Sequence, residues 1–427
     1  MDALRKILLQ YAPECFIGDE IDPIALQHRL SSTENPNTTP ITTGRLLLEH
    51  GPLEAKHQLL VGDNLEIMRS ERKRFEKRFK CVYMDPPYNT GKQFLYNDQR
   101  SSIQEWLAFI SPRLQLAHQY LRQDGLFFAS IDDHAYAHLK LLCDQIFGNE
   151  NYVTTFIWRR SGAGGLRKIF PVTTHEYILC YAKQKSCHSK PWHAPHSESS
   201  LNAFRWEDER GKYKRQALYH RTLAYREAQH YPITIPDGRK VYPPKEQGAW
   251  RYIKSRFLEE KNKNNICFIP SNRSPLRLED GRPAPINIYT KQYLIAGQSN
   301  PSSLLNPALV GQTRAAKAEL KSIFGSDLFQ YAKPTKLLIH LFSLFPTEDG
   351  DLFLDMFAGS ASMADAIHQL NPLLHTVSIQ KPELCSPKSP AHEAGFMNIA
   401  ALAWERICKT IPSTKARYRW QAKTEKK

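Results

Sequence analysis

The feature that most constrains the fold of this chain is an alternation of short apolar segments with amphipathic helical patterns. Six segments have the length and continuous apolar character of strands that are buried in a parallel sheet. They are Gln58–Val61, Cys81–Met84, Leu126–Ile131, Tyr177–Ala182, Leu352–Phe357 and Thr376–Ile379. Apolar residues at helical spacing predict helices over Trp106–Leu121, His134–Phe147, Ser362–Leu370 and Met397–Cys408. The alternation predicts an α/β fold with a doubly wound sheet, which binds its ligands at the carboxyl ends of the strands.

The alternation stops between residue 184 and about residue 330. Residues 184–290 hold 20 Lys and Arg against 11 Asp and Glu, which gives this stretch +9 of the chain's formal net charge of +15. Nucleic acid is the leading candidate for an acidic partner, although ribosomal and membrane-surface proteins are basic too. Aromatic residues are interleaved with the charges: Phe204, Trp206, Tyr213, Tyr219, Tyr225, Trp250, Tyr252 and Phe257. For these rings we favour a small core of their own over stacking on bases.

Cysteine usage and the absence of long apolar runs narrow the class of protein. The eight cysteines include no C-x-x-C pair, which argues against a zinc ribbon or a disulfide framework and for a reducing compartment. Cys187, His188, His193 and His196 lie close together, but their spacing matches no standard site and we expect no metal. Residues Met1–Ile17 lack the apolar stretch of a signal peptide, and no run of about 18 apolar residues occurs. We therefore expect a cytoplasmic protein that has no membrane segment.

The motif with the most chemical content is Asp85-Pro86-Pro87-Tyr88, directly after the strand Cys81–Met84. The prolines fix the backbone and lack N–H donors, so Pro86 presents a carbonyl beside the Asp85 carboxylate. Two convergent acceptors match the two N–H donors of an exocyclic amino group. Tyr88 adds a flat face for stacking on a base. The alternative is a rigid Pro-Pro turn with a local Asp cap, which the order of strand, acid, prolines and aromatic ring disfavours.

The run from Asp85 to Gly91 resembles the catalytic motif of the amino-methylating DNA methyltransferases. It looks most like that of type III restriction–modification methylation subunits, and the segments 128–133, 144–148 and 174–183 resemble the same family. The resemblance implies methyl transfer from S-adenosylmethionine to the exocyclic amine, N6, of adenine in double-stranded DNA. It also implies that the catalytic residues are Asp85, Pro86, Pro87 and Tyr88. It covers most of 58–183 and 330–408 and is weak in between.

A second motif, Asp355-Met356-Phe357-Ala358-Gly359-Ser360-Ala361, lies where the strand Leu352–Phe357 gives way to a helix. Small residues let the backbone approach a ligand closely, and the N–H groups of the helix N-terminus point at it. The motif resembles the methyl-donor motif of the same family, which implies cofactor contacts from Asp355, Phe357, Ala358, Gly359 and Ser360. Ala361 stands where the family has a second glycine, which is compatible with the motif if this residue lies in the first helical turn. By itself the fragment is equally typical of an ordinary strand–helix turn.

The position of Asp63, after the strand Gln58–Val61, fits two roles equally: a helix N-cap, or an acceptor for the adenine amino group of the donor. The donor half runs strand, helix, strand, helix, and the strand expected next in the sheet is Gln58–Val61. This order favours the donor-binding interpretation of Asp63. We therefore predict a Rossmann-like, S-adenosylmethionine-dependent methyltransferase sheet that is circularly permuted, in the β arrangement of these enzymes, with an inserted target-recognition region.

Three further groups complete the candidate site. Glu383, soon after the strand Thr376–Ile379, is the candidate acid for the ribose hydroxyls of the donor. Lys333-Pro334 resembles the segment that lines the methionine pocket, or is otherwise a proline at the start of a helix. The residues that we expect to contact DNA are Asn89, Lys92, Arg159, Arg160, Arg167 and Lys168. The basic stretch 159–168 suits DNA phosphates, with a solvated linker as the alternative.

These patterns predict five regions: an N-terminal extension (1–55), a catalytic half (56–183), a target-recognition insert (184–330), a donor-binding half (331–410) and a basic tail (411–427). N4 methylation of cytosine and a DNA-binding homologue that has lost catalysis stay open as alternatives. Asp85 argues against a protein-glutamine methyltransferase, in which Asn stands at this position. Besides double-stranded DNA, the partners considered are a second copy of the chain, as a homodimer, and a restriction subunit. A solitary methyltransferase fits equally well, because the chain is short for a type III modification subunit.

Overall fold

The computed structural model describes residues 16–17, 20–21, 44–50, 56–90, 102–162, 170–194, 198–244, 247–295, 299–329, 332–412 and 417–422. The chain divides into two compact units. One, here called the sheet unit, runs to Trp192 and resumes at Pro301. The other, the inserted unit, is His193–Asn300.

The described strands, in chain order, are β1 (Phe16–Ile17), β2 (Glu20–Ile21), β3 (Gly44–His50), β4 (His57–Val61), β5 (Phe79–Met84), β6 (Leu121–Ile131), β7 (Tyr152–Arg159), β8 (His175–Ala182), β9 (Trp206–Asp208), β10 (Gly211–Ala217), β11 (Tyr219–His220), β12 (Ile233–Thr234), β13 (Lys240–Tyr242), β14 (Ala249–Trp250), β15 (Ile266–Pro270), β16 (Arg277–Leu278), β17 (Ile286–Tyr293), β18 (Leu304–Leu305), β19 (Leu352–Asp355), β20 (His375–Gln380) and β21 (Arg417–Ala422). The described helices are α1 (Asn64–Ser70), α2 (Arg72–Phe75), α3 (Ile103–Tyr120), α4 (Tyr136–Phe147), α5 (Glu198–Leu201), α6 (Lys254–Asn262), α7 (Pro307–Val310), α8 (Thr313–Phe324), α9 (Thr335–Ser343), α10 (Ser362–Leu370), α11 (Pro390–Glu393) and α12 (Ile399–Thr410). Short 3-10 turns cover Asn149–Asn151, Lys185–Cys187 and Glu227–Gln229.

The centre of the sheet unit, within the described chain, is a ten-stranded sheet of order β18-β7-β8-β6-β5-β19-β20-β4-β3-β21. Strand β19 pairs in parallel with β5 and with β20, so that Asp355 lies opposite both Tyr83 and Ser378. Strand β20 then pairs in parallel with β4, from Thr376 opposite His57 onward. The predicted permuted order is confirmed, because the second donor strand is followed across the sheet by a strand from early in the chain. The strand order reverses between β19 and β5, where loops that leave in opposite directions open a crevice for ligands.

One strand direction predicted from the sequence is wrong. The segment Tyr177–Ala182 has the apolar run of a buried parallel strand, but β8 runs antiparallel to both β6 and β7. An apolar run reports burial on both faces and carries no information on direction. The reversal matters for the site, since it brings the first residues of β8 to the carboxyl ends of the parallel strands. Tyr177 lies opposite Ile131, the last residue of β6.

The predicted helices form, with small changes at their ends. Helix α10 spans Ser362–Leu370 as predicted. Helix α3 begins earlier, where the Ser102 hydroxyl accepts a hydrogen bond from the Glu105 N–H, and it ends at Tyr120 because Leu121 already belongs to β6. Helix α12 begins at Ile399, since the side chain of Asn398 caps it. Apolar faces of α3 and α4 cover β5 and β6, and this core includes the fully buried Trp106.

The inserted unit has small antiparallel sheets, of which the largest has the order β15-β17-β10-β9. The expectation that its aromatic residues form a core is confirmed for Phe204, Tyr213, Trp250 and Phe257, which are buried. Tyr225 is exposed. No helix among the described residues is long and apolar enough to cross a membrane.

Candidate active site

A cleft of about 360 Å³ opens at the carboxyl ends of β5 and β19, where the strand order reverses. Its volume lies in the range of small-molecule sites. The loop that follows β5 supplies Asp85, Pro86, Pro87, Tyr88 and Thr90 to the lining. The loop that follows β19 supplies Met356, Phe357, Ala358, Gly359 and Ser360. The two motifs that the sequence places hundreds of residues apart therefore share one cavity.

The loop after β5, which holds the motif Asp85–Tyr88, is anchored to the core of the sheet unit. Trp106 is fully buried in α3, and its indole Nε1–H donates to the Pro87 carbonyl at 2.7 Å. Among the described residues, none donates a hydrogen bond to the carbonyl of Pro86. The backbone of Asn89 takes a left-handed conformation with φ 60°, which asparagine tolerates better than most residues. The loop is thus fixed at Pro87, and the Pro86 carbonyl remains available as an acceptor.

The strongest interaction of Asp85 is with a lysine that the sequence assigned to the methionine pocket. The Lys333 ammonium donates to Asp85 Oδ1 at 2.8 Å and to Oδ2 at 2.9 Å. It also donates to the Tyr88 hydroxyl at 2.9 Å, and that hydroxyl donates to Asp85 Oδ1 at 2.8 Å. Lys333 is 8% exposed, so this is a largely dry ion pair. Lys333 lines the cleft, whereas Pro334 is the N-cap of α9 and contributes its ring beside Gly311.

A second acid joins this cluster from the antiparallel strand β8. Glu176 Oε2 lies 3.2 Å from the Tyr88 hydroxyl and 3.5 Å from the Lys333 ammonium, and its Oε1 lies 3.5 Å from Arg160 Nε. Burial raises the pKa of Glu176, and the nearby cations only partly offset this. Burial by itself would lower the pKa of Lys333, but the carboxylates of Asp85 and Glu176 raise it, so this residue is an ammonium ion. The pKa of Tyr88 is raised by burial and by the same two acids, which keeps its hydroxyl neutral.

Glu176 was not identified from the sequence as a site residue. Two signals point to it: it lies in the segment 174–183 that resembles the methyltransferase family, and it is an acid at the end of an apolar strand. The direction of β8 decides the matter, since a parallel strand would have placed Glu176 at the opposite edge of the sheet. Trp158 of β7 was missed as well, and its ring lies 5.9 Å from the Lys333 ammonium while its Nε1–H donates to the Gly311 carbonyl.

The donor-motif loop turns tightly on backbone that favours small residues. Gly359 has φ +54°, a conformation that glycine adopts at no steric cost. Its N–H donates to Gln380 Oε1 at 2.7 Å, which ties the turn to the end of β20. Ser360 and Ser362 share a hydrogen bond between their hydroxyls at 3.1 Å. The loop is thus anchored on the neighbouring strand while its backbone lines the cleft.

Ala361 does not lie in the first helical turn, which is the position in which the sequence would make it compatible with the motif. It is the N-cap of α10 and takes the left-handed conformation, with φ 58° and ψ 32°. A residue with a Cβ is strained there by about 1–2 kcal/mol relative to its right-handed state. Its methyl group is fully buried and packs in a cluster with Ala358 and Ala364. The fold therefore accepts strain at the position where the family has glycine.

A buried arginine supports this loop from the opposite side. Arg406 of α12 is fully buried, and its guanidinium pairs with Asp365 of α10 at 2.9 Å and with Glu319 of α8 at 3.0 Å. It also donates to the Ser362 hydroxyl at 2.9 Å and to Thr335 of α9. One side chain thus joins four helices at the base of the donor-motif loop. Sequence reasoning missed it, since a charged residue within an amphipathic helix is most often solvated.

Asp63 takes the first of the two roles that the sequence suggested, a helix N-cap, while the second, an acceptor for the adenine amine of the donor, stays a prediction. Its carboxylate caps α1 by accepting from the Leu65 N–H at 2.9 Å, and it also lines the cleft. Arg113 of α3, which is 4% exposed, pairs with it at 3.1 Å. Arg113 also donates to Asn64 Oδ1, and Asn64 in turn donates to the Met356 carbonyl at 2.8 Å. This chain of hydrogen bonds links the end of β4 to the end of β19.

Asp355 is the second carboxylate at the base of the cleft. It is 2% exposed, and the Phe357 N–H donates to its Oδ1 at 3.2 Å. No Lys or Arg among the described residues pairs with it. Burial raises the pKa of Asp355 to about 7, and the nearby Asp85 adds to the shift. A buried carboxylate that lines a ligand cleft without a basic partner suits a cationic group of the ligand.

The DNA methylase family model matches residues 79–373 of the chain, which is more than half of its length. The chain belongs to the DNA methylase family. The match begins at β5 and continues past α10, so it includes both loops that line the cleft. The two motifs and the cavity between them therefore lie within the part of the chain that the family model matches.

Among its relatives, this chain is 32% identical over 410 residues to the Mod subunit of the type III restriction-modification enzyme EcoPI from Escherichia phage P1. That alignment covers 83% of this chain and 62% of the Mod subunit, so the chain spans less than two thirds of that relative's length. The type II methyltransferase M.KpnI from Klebsiella pneumoniae is 27% identical over 396 residues, which are 83% of this chain and 88% of that enzyme. Among solved structures, the PvuII DNA methyltransferase (cytosine-N4-specific) aligns with 80% of this chain and 86% of its own at 13% identity, with a TM-score of 0.36.

The remaining residues predicted for the site lie as follows. Glu383 lines the cleft beyond the end of β20. Arg160 lines the cleft and pairs with Glu176, while Arg159 ends β7 and is exposed. Lys92, Arg167 and Lys168 lie outside the described residues. Of the cysteine and histidine cluster, His196 also lies outside them, and no metal-binding group of three or more such residues occurs among those described.

Proposed function

We propose that this chain is a site-specific DNA methyltransferase that transfers a methyl group from S-adenosylmethionine to the exocyclic amine, N6, of adenine in double-stranded DNA. One observation carries the proposal: Asp85 and Pro86, which supply the acceptor pair, line the same cleft as the small-residue loop after β19. Membership of the DNA methylase family and the likeness to a type III Mod subunit support it.

The residues of the cleft fit S-adenosylmethionine as the cofactor. Asp355 provides a buried carboxylate without a basic partner among the described residues, which suits the ammonium of the methionine end. Phe357, Ala358, Gly359 and Ser360 would follow the same end along the loop, and Glu383 and Asp63 provide acids for the ribose hydroxyls and the adenine amine. When bound, the cofactor supplies an electrophilic methyl group on a sulfonium ion.

The catalytic loop would activate a poor nucleophile by orientation and charge. The lone pair of an amine on a purine ring is delocalised into the ring. Acceptors at Asp85 and the Pro86 carbonyl would hold the two N–H bonds, favour a pyramidal nitrogen and stabilise the positive charge that develops on it. Asp85 need not be a strong base, because the N–H proton becomes acidic once transfer has begun. The rest of the work is in-line positioning, which the hydrogen bond from Trp106 to the loop supports.

The target base must leave the double helix to reach this cleft, at a cost of a few kcal/mol. Stacking on Tyr88 would return about 1–3 kcal/mol. Contacts from basic side chains to phosphates would supply the remainder. The basic candidates are Lys92, Arg159, Arg160, Arg167 and Lys168, together with the basic inserted unit, and Asn89 is a further, uncharged candidate for a DNA contact.

DNA binding by the full chain should weaken steeply with salt. The region 184–290 has a net charge of +9, and each phosphate contact releases counterions. We expect a slope of log K against log salt concentration that is more negative than about −3, measured by fluorescence anisotropy on unmethylated duplexes. A flat response would mean that this charge is solvated surface.

We further propose a restriction subunit as a partner, which rests on the type III name of the relatives. A homodimer is the other assembly proposed. Analytical ultracentrifugation of the chain alone and mixed with a type III restriction subunit distinguishes these. A chain that sediments with the mass of one copy in both samples would contradict both.

The decisive experiment is sequencing with modified-base detection of DNA from cells that express the chain or its Asp85→Ala variant. N6-methyladenine at one recurrent sequence, absent with the variant, is the expected result. N4-methylcytosine at such a sequence would establish the alternative base. No modification with the wild-type chain, together with retained DNA binding, would establish a homologue that has lost catalysis.

A further inference from the structure

The Lys333 ammonium donates to the Asp85 carboxylate, which is one of the two acceptors that the target amine needs. The three N–H donors of the Lys333 ammonium are used by Asp85 Oδ1, Asp85 Oδ2 and the Tyr88 hydroxyl, at 2.8, 2.9 and 2.9 Å. Tyr88 adds its own hydrogen bond to Asp85 Oδ1. Both oxygens of the Asp85 carboxylate therefore accept hydrogen bonds from side chains of the protein itself.

Lys333 and the target amine cannot use Asp85 in the same way at the same time. Two bonds from the ammonium and one from the Tyr88 hydroxyl already fill three of the roughly four lone-pair sites of the Asp85 carboxylate, so an arriving amine competes with Lys333 for it. Methyl transfer would also place positive charge on the amine nitrogen, next to a cation in a poorly solvated site. Both effects favour a movement of Lys333 away from Asp85 before transfer.

An alternative acceptor lies within reach of the same ammonium. Glu176 Oε2 is 3.5 Å from Lys333 Nζ, farther than the Asp85 oxygens, and the same Oε2 lies 3.2 Å from the Tyr88 hydroxyl. Glu176 is 12% exposed in its side chain, and its other oxygen faces Arg160 at 3.5 Å. A small movement of the lysine chain would exchange one carboxylate for the other and leave the ammonium paired throughout.

We propose that the Lys333 ammonium is an internal stand-in for the target amine, which occupies Asp85 and Tyr88 in the base-free enzyme and moves to Glu176 when the base enters. The inference rests on the proposed function. Lys333 is then a positioning residue: it holds the catalytic loop in its working arrangement until the amine replaces it. Glu176 is the alternative acceptor for the ammonium, which makes the exchange possible.

A double-mutant cycle of Lys333→Met and Glu176→Gln in the full chain tests the exchange. The assay follows transfer of labelled methyl from S-adenosylmethionine to unmethylated bacterial genomic DNA, and donor affinity is measured separately by calorimetry. Glu176→Gln alone should lower kcat by roughly tenfold or more, because the ammonium stays on Asp85. In the Lys333→Met background, Glu176→Gln should alter kcat by less than about twofold, because no ammonium remains that needs Glu176 as an acceptor. Donor affinity should be unchanged in Glu176→Gln, which separates a loss of kcat from a loss of donor binding.

Two controls separate this outcome from general damage. The exposed pair Lys317 and Asp327, at 3.2 Å on and beside α8, gives a matched cycle of Lys317→Met and Asp327→Asn that should leave kcat unchanged. Lys333→Gln replaces Lys333→Met if the latter variant does not fold. If the fold-change in kcat of the double variant equals the product of the two single fold-changes, the proposal is overturned. The proposed function stands in that case, because the wild-type chain is active. A wild-type chain that binds donor but methylates no DNA would instead overturn the proposed function itself.

Discussion

Two carboxylates lie at the ends of neighbouring strands in the cleft, and their surroundings are opposite. Asp85, after β5, accepts a hydrogen bond from Lys333 on each of its two carboxylate oxygens, and its side chain is 22% exposed. Asp355, at the end of β19, is 2% exposed and pairs with no cation among the described residues. A buried charge without a partner is costly, so the fold has neutralised one acid internally and left the other for a ligand. Under the proposed function, the chain itself supplies the partner of the acid on the amine side of the cleft, whereas the ligand supplies the partner of the acid on the donor side.

The largest expected effect is on the amine side. Asp85→Asn keeps the shape of the side chain but removes the charge that would stabilise the developing cation, so kcat should fall by at least about a hundredfold. Initial rates of methyl transfer at saturating donor and DNA measure this. Asp327→Asn, at an exposed position, is the control and should retain the wild-type rate. A loss of less than about fivefold for Asp85→Asn would remove Asp85 from the chemistry.

The donor side depends on a scaffold that the amine side does not share. Arg406→Met would leave the buried Asp365 and the part-buried Glu319 without their cation, and it should destabilise the fold by about 3–5 kcal/mol. Urea denaturation measures the change in the free energy of unfolding. Lys409→Met, an exposed pair partner on the same helix, should cost less than about 1 kcal/mol. Equal losses in the two variants would mean that the Arg406 network adds nothing.

The pKa of Asp355, raised to about 7, predicts a pH dependence of donor binding. A cation binds better to the ionised acid, so affinity should increase roughly tenfold from about pH 5.5 to about pH 7. The same shift makes the ligand-free fold less stable as pH rises from about 4 to about 7, because the folded state binds the proton more tightly than the unfolded state. Calorimetric titration with S-adenosylmethionine at several pH values measures the first effect. Asp355→Asn should bind more weakly and lose the pH dependence, whereas a wild-type affinity that is flat over this range would contradict the role of Asp355.

The smallest expected effect is at Ala361, where strain and packing nearly cancel. Ala361→Gly relieves about 1–2 kcal/mol of left-handed strain but removes a buried methyl group worth about 0.8 kcal/mol and adds flexibility to the unfolded chain. The net change in the free energy of unfolding should stay within about 1 kcal/mol. Ala364→Gly, which is buried within α10 without positive φ, should cost about 2 kcal/mol. Equal costs at the two positions would show that Ala361 is not strained.

The sequence predicted those parts of the site that are encoded locally. The order of strand, acid, prolines and aromatic ring is contiguous, and so is the donor motif, so the permuted order of the sheet could be derived from their sequence positions. The partners across the cleft could not. Lys333 and Asp85 are 248 residues apart in the sequence, and only the fold brings them into contact. The sequence around Lys333-Pro334 indicated the methionine pocket alone.

The direction of β8 and the burial of Arg406 escaped prediction for a related reason. An apolar run does not encode strand direction, and the reversal of β8 is what brings Glu176 to the site. The acids that neutralise Arg406 come from two other helices, Glu319 in α8 and Asp365 in α10. A buried charge is visible in a sequence only when its partners are near it, and here only the tertiary fold supplies them.

The comparison of the two acids is tested most directly by calorimetric binding of S-adenosylmethionine to Asp85→Asn and Asp355→Asn, beside the wild-type chain at about pH 7.5. The account predicts that Asp85→Asn binds donor with an affinity within about twofold of wild type, while Asp355→Asn binds about tenfold or more weakly. Equal loss of donor affinity in the two variants, or a loss confined to Asp85→Asn, would contradict the division of the cleft into an amine side and a donor side.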